Sequence, residues 1–101
     1  MQPFTERVLD IIVHIPKGKV MTYGQIAKLA GNPRAARQVA RILHSMSKKY
    51  KLPWHRVINA KGEISLLDEE LQINQTMALE GEGVPVINNK VDLNQFQYNQ
   101  K

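Results

Sequence analysis

The chain has 101 residues, 43% of them hydrophobic and 23% charged, and contains no cysteine. This length predicts one domain, residues 1–101, with limited burial and modest stability, and the lack of thiols excludes disulfides, a cysteine nucleophile and cysteine-bearing zinc sites. The formal charge of +5 is unevenly spread: residues 1–61 hold twelve Lys/Arg against two acids, residues 62–101 two Lys against seven acids, so one part attracts a polyanion and the other repels it.

Phe4 to Ile15 places apolar residues at Phe4, Val8, Leu9, Ile11, Ile12 and Ile15, the stripe of an amphipathic helix, with Thr5 as its expected cap. Pro16-Lys17-Gly18 ends it, and Lys19-Val20-Met21 reads as a short extended piece. Thr22 then caps a helix carrying Ile26, Ala27 and Leu29, with Gln25 placed to complete a capping box, and Gly31 stops it. Asn32 with Pro33 predicts the next start, for a helix running to about Met46 that buries Ala36, Val39, Ala40, Leu43 and Met46. Arg34, Arg37, Arg41 and either His44 or Lys48 fall at three- and four-residue steps and share another face. Ser45 to Leu52 reads as a basic loop. Short strands are expected at Val57-Ile58 and Ile64, around an Asn59-Ala60-Lys61-Gly62 turn. Leu67 to Glu80 predicts a last helix with Leu71 and Met77 inward, joined by Leu67, Asn74 and Leu79. Val84, Val86, Ile87 and Val91, Leu93 flank Asn88-Asn89-Lys90 as a hairpin. Phe96 and Tyr98 pack it down before a frayed tail. No run is apolar for long enough to span a bilayer, and the N-terminus lacks an apolar signal core.

Several residues admit a chemical reading beside a plainer one. Ala35 and Ala36 at a helix entrance let a backbone approach a phosphate; equally, they suit helix packing. Arg37 carries a planar, permanently charged group able to stack in place of a displaced base, or it contacts a phosphate. Tyr23 crowds a phosphate or sits half-buried. Trp54 offers a broad face to a nucleobase, or anchors a core. His55 suits a base or a relay, but no nucleophile adjoins it in sequence. The three dispersed histidines suggest no metal site, and no cofactor is expected.

Thr22-Tyr23-Gly24-Gln25-Ile26-Ala27, Ala35-Ala36-Arg37-Gln38-Val39 and Pro53-Trp54-His55-Arg56-Val57-Ile58 resemble the C-terminal domain of O6-alkylguanine-DNA alkyltransferases. Those proteins read Pro-Cys-His-Arg-Val, with cysteine accepting the alkyl group. Trp54 in that place is the mark of the alkyltransferase-like proteins, and the likeness spans residues 4–93. It implies a mainly α fold with short β strands, a winged-helix-like unit that enters the minor groove. By the same likeness Ala35 and Ala36 pack in the groove, Arg37 fills the gap left by an extruded nucleotide, and Tyr23 promotes its rotation. His55 and Glu82 match two members of a relay that activates sulfur, Met46 stands where its asparagine lies, and Leu67 stands where some relatives carry a lesion-contacting arginine.

The expected function is non-enzymatic recognition of O6-alkylguanine in duplex DNA, marking it for nucleotide excision repair. Tyr23, Trp54, His55, Arg56, Val57, Ser65, Leu66, Leu67 and Glu82 are expected to form the lesion pocket, with Leu66 and Leu67 suited to longer alkyl chains. Tyr23, Arg34, Ala35, Ala36, Arg37, Arg41, Lys48, Lys49 and Lys51 are expected to meet DNA. The expected partners are damaged duplex and excision-repair proteins, for a monomer away from membranes, in a bacterial cytoplasm or a eukaryotic nucleus. The rival readings are a winged-helix transcription regulator and a hydrolase using His55 and Glu82 to activate water.

Overall fold

The computed structural model describes residues 1–99; the frayed end expected at Gln100 and Lys101 lies outside them. Helix α1 spans Pro3–Val13. It starts earlier than the pattern suggests because Pro3 supplies a helical φ at a position whose amide needs no partner. Thr5 therefore lies within the first turn and is buried, so it is not the cap; Gln2 occupies that position without a side-chain bond. Val8, Ile12 and Ile15 are sealed from solvent, each burial contributing about 2 kcal/mol.

Strand β1, Met21–Thr22, pairs in parallel with β2, Val57–Ile58, in the register Met21 to Val57 and Thr22 to Ile58. Thr22 also caps α2, Tyr23–Leu29: its Oγ1 accepts from the Gln25 amide at 3.1 Å, and its own amide donates to Gln25 Oε1 at 3.2 Å. This is the capping box expected from the sequence. The Gln25 side-chain amide also donates to the Tyr98 carbonyl, tying the C-terminal segment to this helix.

Helix α3 spans Ala36–Tyr50, starting and ending later than expected. Asn32 closes a turn instead of a helix, its Oδ1 accepting from the Arg34 amide at 3.1 Å and its carbonyl from the Ala35 amide at 3.1 Å. Ala35, 7% exposed, belongs to the core and pins that turn. The basic stretch after Met46 is helix, not loop: an exposed last turn needs no apolar residue, and Lys48 and Lys49 complement the carbonyl end of the dipole. The helix stops where Lys51 turns left-handed at φ 52°, two residues before Pro53, which cannot continue it. Helix α3 packs on α2, and both pack on α1. Within α3, Val39, Ile42 and Leu43 are buried, Ala36, Ala40 and Met46 partly so.

A 3-10 turn, Trp54–Arg56, leads into β2. Gly62 closes the next turn, its amide donating to the Asn59 carbonyl at 3.0 Å. Ile64 is buried but lies in no strand; its segment joins the chain's end through the Glu63–Lys90 bridge. Helix α4, Glu69–Gly81, begins at Asp68, whose carboxylate accepts from two amides. Its inward face is Gln75 and Leu79; Leu67, Leu71, Asn74 and Met77, expected inside, are exposed. The Ile87–Lys90 bridge closes over Asn88 and Asn89, both at positive φ, the tight hairpin turn that asparagine tolerates. Helix α5, Leu93–Phe96, was not expected. It follows because Asp92 caps the Asn94 amide at 3.0 Å, while Val20 exchanges backbone bonds with Phe96 and Tyr98 at 2.9 and 2.7 Å. Among the described residues no helix is long and apolar enough to cross a membrane.

Candidate nucleic-acid interface and base-sized cleft

A cleft of about 440 Å³ opens between α3 and α4, lined by Tyr23, Ala40, Leu43, His44, Ser47, Trp54, Leu66, Leu71 and Asn74. That volume falls in the range of small-molecule sites. The α3 contribution follows helical geometry, since positions 40, 43, 44 and 47 lie along one stripe. Tyr23 opens α2 and is set by the Thr22 cap; burial pushes its phenol above the ordinary value, so it is neutral at physiological pH and able to donate. Trp54 is held by its backbone, its amide donating to the Leu52 carbonyl at 2.8 Å, with its ring edge-on to His55.

His55, Arg56 and Glu82 stand behind this wall rather than in it. Glu82 Oε2 accepts from His55 Nε2 at 2.7 Å and from Arg56 Nη2 at 2.7 Å, while Oε1 accepts from Arg56 Nε at 3.0 Å and from the Gly18 amide at 3.2 Å. Burial works against the carboxylate's charge, but the Arg56 and His55 bonds and the Gly18 amide outweigh it and hold its pKa at about 2, against an ordinary 4.5. Arg56 Nη1 also donates to the Ile15 carbonyl at 2.9 Å, fastening the loop to the end of the first helical segment. Gln75, 3% exposed, donates from Nε2 to the His55 and Val57 carbonyls, both at 3.1 Å. The network fixes the loop that presents Trp54, and His55 Nε2 is occupied by it.

Of the other expected pocket residues, Leu66 lines the cleft. Val57 is in the core and Ser65 is exposed, its hydroxyl accepting from Asn59 Nδ2 at 3.3 Å. Both border only a crevice of about 10 Å³ beside Tyr23, room for roughly one water. Leu67 points wholly into solvent, because it lies in the bend before the Asp68 cap; it does not line the cleft with Leu66. Sequence reading missed Ala40, Leu43, His44, Ser47, Leu71 and Asn74 as lining residues, and Gln75 as the brace. The stripe from Ala40 to Ser47 was visible, but only the position of α4 turns it into a cleft wall.

The charged surface flanks the cleft. Arg34, Arg37 and Arg41 are exposed, and among the described residues none is in a salt bridge. Arg37 stands one turn before Ala40, so the two side chains start about 5–6 Å apart, and Arg37 itself does not line the cleft. Lys48, Lys49 and Lys51 are exposed at the far end of α3, Lys49 lying 5.4 Å over the Tyr50 ring. Ala36 is partly exposed and Ala35 is not, so close approach at the helix entrance falls to Ala36. A hollow of about 460 Å³ elsewhere, between Lys61, Lys90 and α5, has no residue of α3 in its wall.

An α2–α3 pair packed on α1, a two-stranded sheet and a basic helix beside an aromatic cleft define a helical DNA-binding unit of the winged-helix type. The 6-O-methylguanine DNA methyltransferase DNA-binding domain matches residues 3–84, and the chain belongs to that family. Within it, the chain closely resembles the alkyltransferase-like proteins. It is 48% identical over 97 residues to a DNA base-flipping protein of Escherichia coli, covering 95% of this chain and 74% of that one. It is 42% identical over 87 residues to alkyltransferase-like protein 1 of Schizosaccharomyces pombe, covering 85% and 81%. A crystal structure of Schizosaccharomyces pombe Atl1 in complex with damaged DNA containing O6-carboxymethylguanine superposes with a TM-score of 0.88 at 37% identity, covering 99% of this chain and 98% of that one. The chain has no cysteine to receive an alkyl group.

Proposed function

We propose that the domain recognises O6-alkylguanine in duplex DNA, turns the nucleotide out of the stack, holds it against Trp54 and leaves it chemically unchanged. The observation that carries this reading is the cleft of about 440 Å³ walled by Tyr23 and Trp54 and containing no thiol, with one wall on the helix that carries exposed Arg37. Arg34, Arg41, Lys48, Lys49 and Lys51 neutralise phosphates, Ala36 allows the helix entrance to approach the minor groove, and Arg37 fills the vacated space. Extrusion costs a few kcal/mol, least at a weakened pair, so an O6-alkylated base is the natural one to leave the helix. Minor-groove entry leaves most sequence unread, as a damage scanner requires. The bound complex then marks the site for nucleotide excision repair, in a bacterial cytoplasm or a eukaryotic nucleus.

The test incubates excess protein with duplexes identical except for one O6-alkylguanine, measures binding to both, and weighs the protein and the oligonucleotide afterwards. Selective binding with both masses unchanged is expected. Equal affinity for damaged and undamaged duplex, or an alkyl group on the protein, would overturn the reading.

A further inference from the structure

We infer that the cleft distinguishes alkyl groups by polarity, and that His44, Ser47 and Asn74 make it favour O6-alkyl chains ending in an oxygen that accepts hydrogen bonds. The inference rests on the lesion reading and names the chemistry of its ligand. Tyr23, Leu43, Trp54, Leu66 and Leu71 give the cleft apolar surface on which a base stacks. The remaining polar side chains in the wall are His44 and Ser47, one turn apart on α3, and Asn74, on α4. Among the described residues, no side chain of these three is in a hydrogen bond with the protein. An imidazole donates from at least one ring nitrogen in every protonation state, a hydroxyl can donate, and an amide carries two further donors. A cleft for a base and a plain alkyl chain needs none of them.

No carboxylate lines the cleft, and Glu82 behind it is neutralised by Arg56. Arg37 and Arg41 stand on the same helix as His44 and Ser47, and exposed Asp68, Glu69 and Glu70 stand between Leu66 and Leu71, so the hydrogen-bond donors rather than net charge select the chain end. Leu67, turned out to solvent, adds no apolar surface that would draw a longer hydrocarbon chain. A terminal hydroxyl or carboxylate gains hydrogen bonds here, whereas an equally large hydrocarbon tail displaces water from three donors and returns nothing.

The test uses isosteric pairs: duplexes carrying O6-(2-hydroxyethyl)guanine against O6-propylguanine, and O6-carboxymethylguanine against O6-isobutylguanine, with undamaged duplex as reference. Wild type should bind the oxygen-bearing member of each pair about five- to tenfold more tightly. His44→Ala and Asn74→Ala, at exposed helical positions, should each reduce that ratio, and His44→Gln should restore part of it by returning a donor. Ratios near one in wild type, or ratios unmoved by either alanine while alkylated duplexes still outbind undamaged DNA, would overturn this inference and leave lesion recognition standing. Loss of all preference over undamaged duplex in wild type would overturn both.

Discussion

Replacing Glu82 with glutamine tests whether the network behind Trp54 holds the cleft wall in place. The Glu82 side chain is 10% exposed and that of its partner Arg56 18%. Glutamine keeps the shape and one acceptor but removes the charge, leaving a largely buried guanidinium without a counter-ion and the His55 bond weakened. Removing one partner of a buried pair costs about 3–5 kcal/mol; the residual exposure and retained acceptor put the loss here at about 3 kcal/mol. The carboxyl's own titration gives the same scale, since lowering its pKa from 4.5 to about 2 favours the folded state by about 3 kcal/mol. Because the folded value is the lower one, that contribution is complete above pH 4.5 and is lost as pH falls from 4.5 towards 2. Chemical and thermal denaturation of both proteins between pH 7 and pH 3 are the assays. At pH 7 the variant should melt about 12–24 °C lower, and the gap should narrow below pH 4.5. A loss under about 1 kcal/mol at pH 7, or a gap that stays constant to pH 3, would refute the argument.

Gln75→Leu should destabilise the protein by about 2–3 kcal/mol, because it strips the partner from the His55 and Val57 carbonyls; a denaturation midpoint equal to wild type would contradict this. Gly62→Ala should cost about 2–4 kcal/mol in a thermal melt. Its φ is +74° and an added Cβ would lie 2.5 Å from the Val91 carbonyl oxygen, so strain and collision coincide. Arg37→Ala should lower the preference for alkylated over undamaged duplex, whereas Lys49→Ala should weaken binding to both alike and reduce the salt slope by about one. Equal loss of preference in the two variants would remove the space-filling role of Arg37.

The local signals that held are those whose physics is confined to a few neighbouring residues. The Thr22–Gln25 box caps α2 because donor and acceptor are three residues apart, and the Asn88-Asn89 turn forms because asparagine accepts positive φ. The errors fall where two distant segments meet. Asn32-Pro33 has every local mark of a helix start, yet burial of Ala35 in the core makes it a turn. On α4 the apolar residues Met77 and Ile73 face solvent, while polar Gln75 is buried, because two carbonyls from the Trp54–Val57 segment await its amide. No periodicity in α4 itself announces those carbonyls.

By itself the sequence determined the charge division, the Thr22–Gln25 cap, the lack of a thiol and the Pro53-Trp54-His55-Arg56 motif, since each is a property of side chains and their immediate neighbours. Only the tertiary structure decided that Trp54 faces a cleft while His55 and Arg56 turn back to Glu82, that α3 offers His44 and Ser47 to that cleft, and that Leu67 stays outside it. The reason is that a cavity wall is assembled from separate segments, and which face each presents is set by packing against the others rather than by its own sequence.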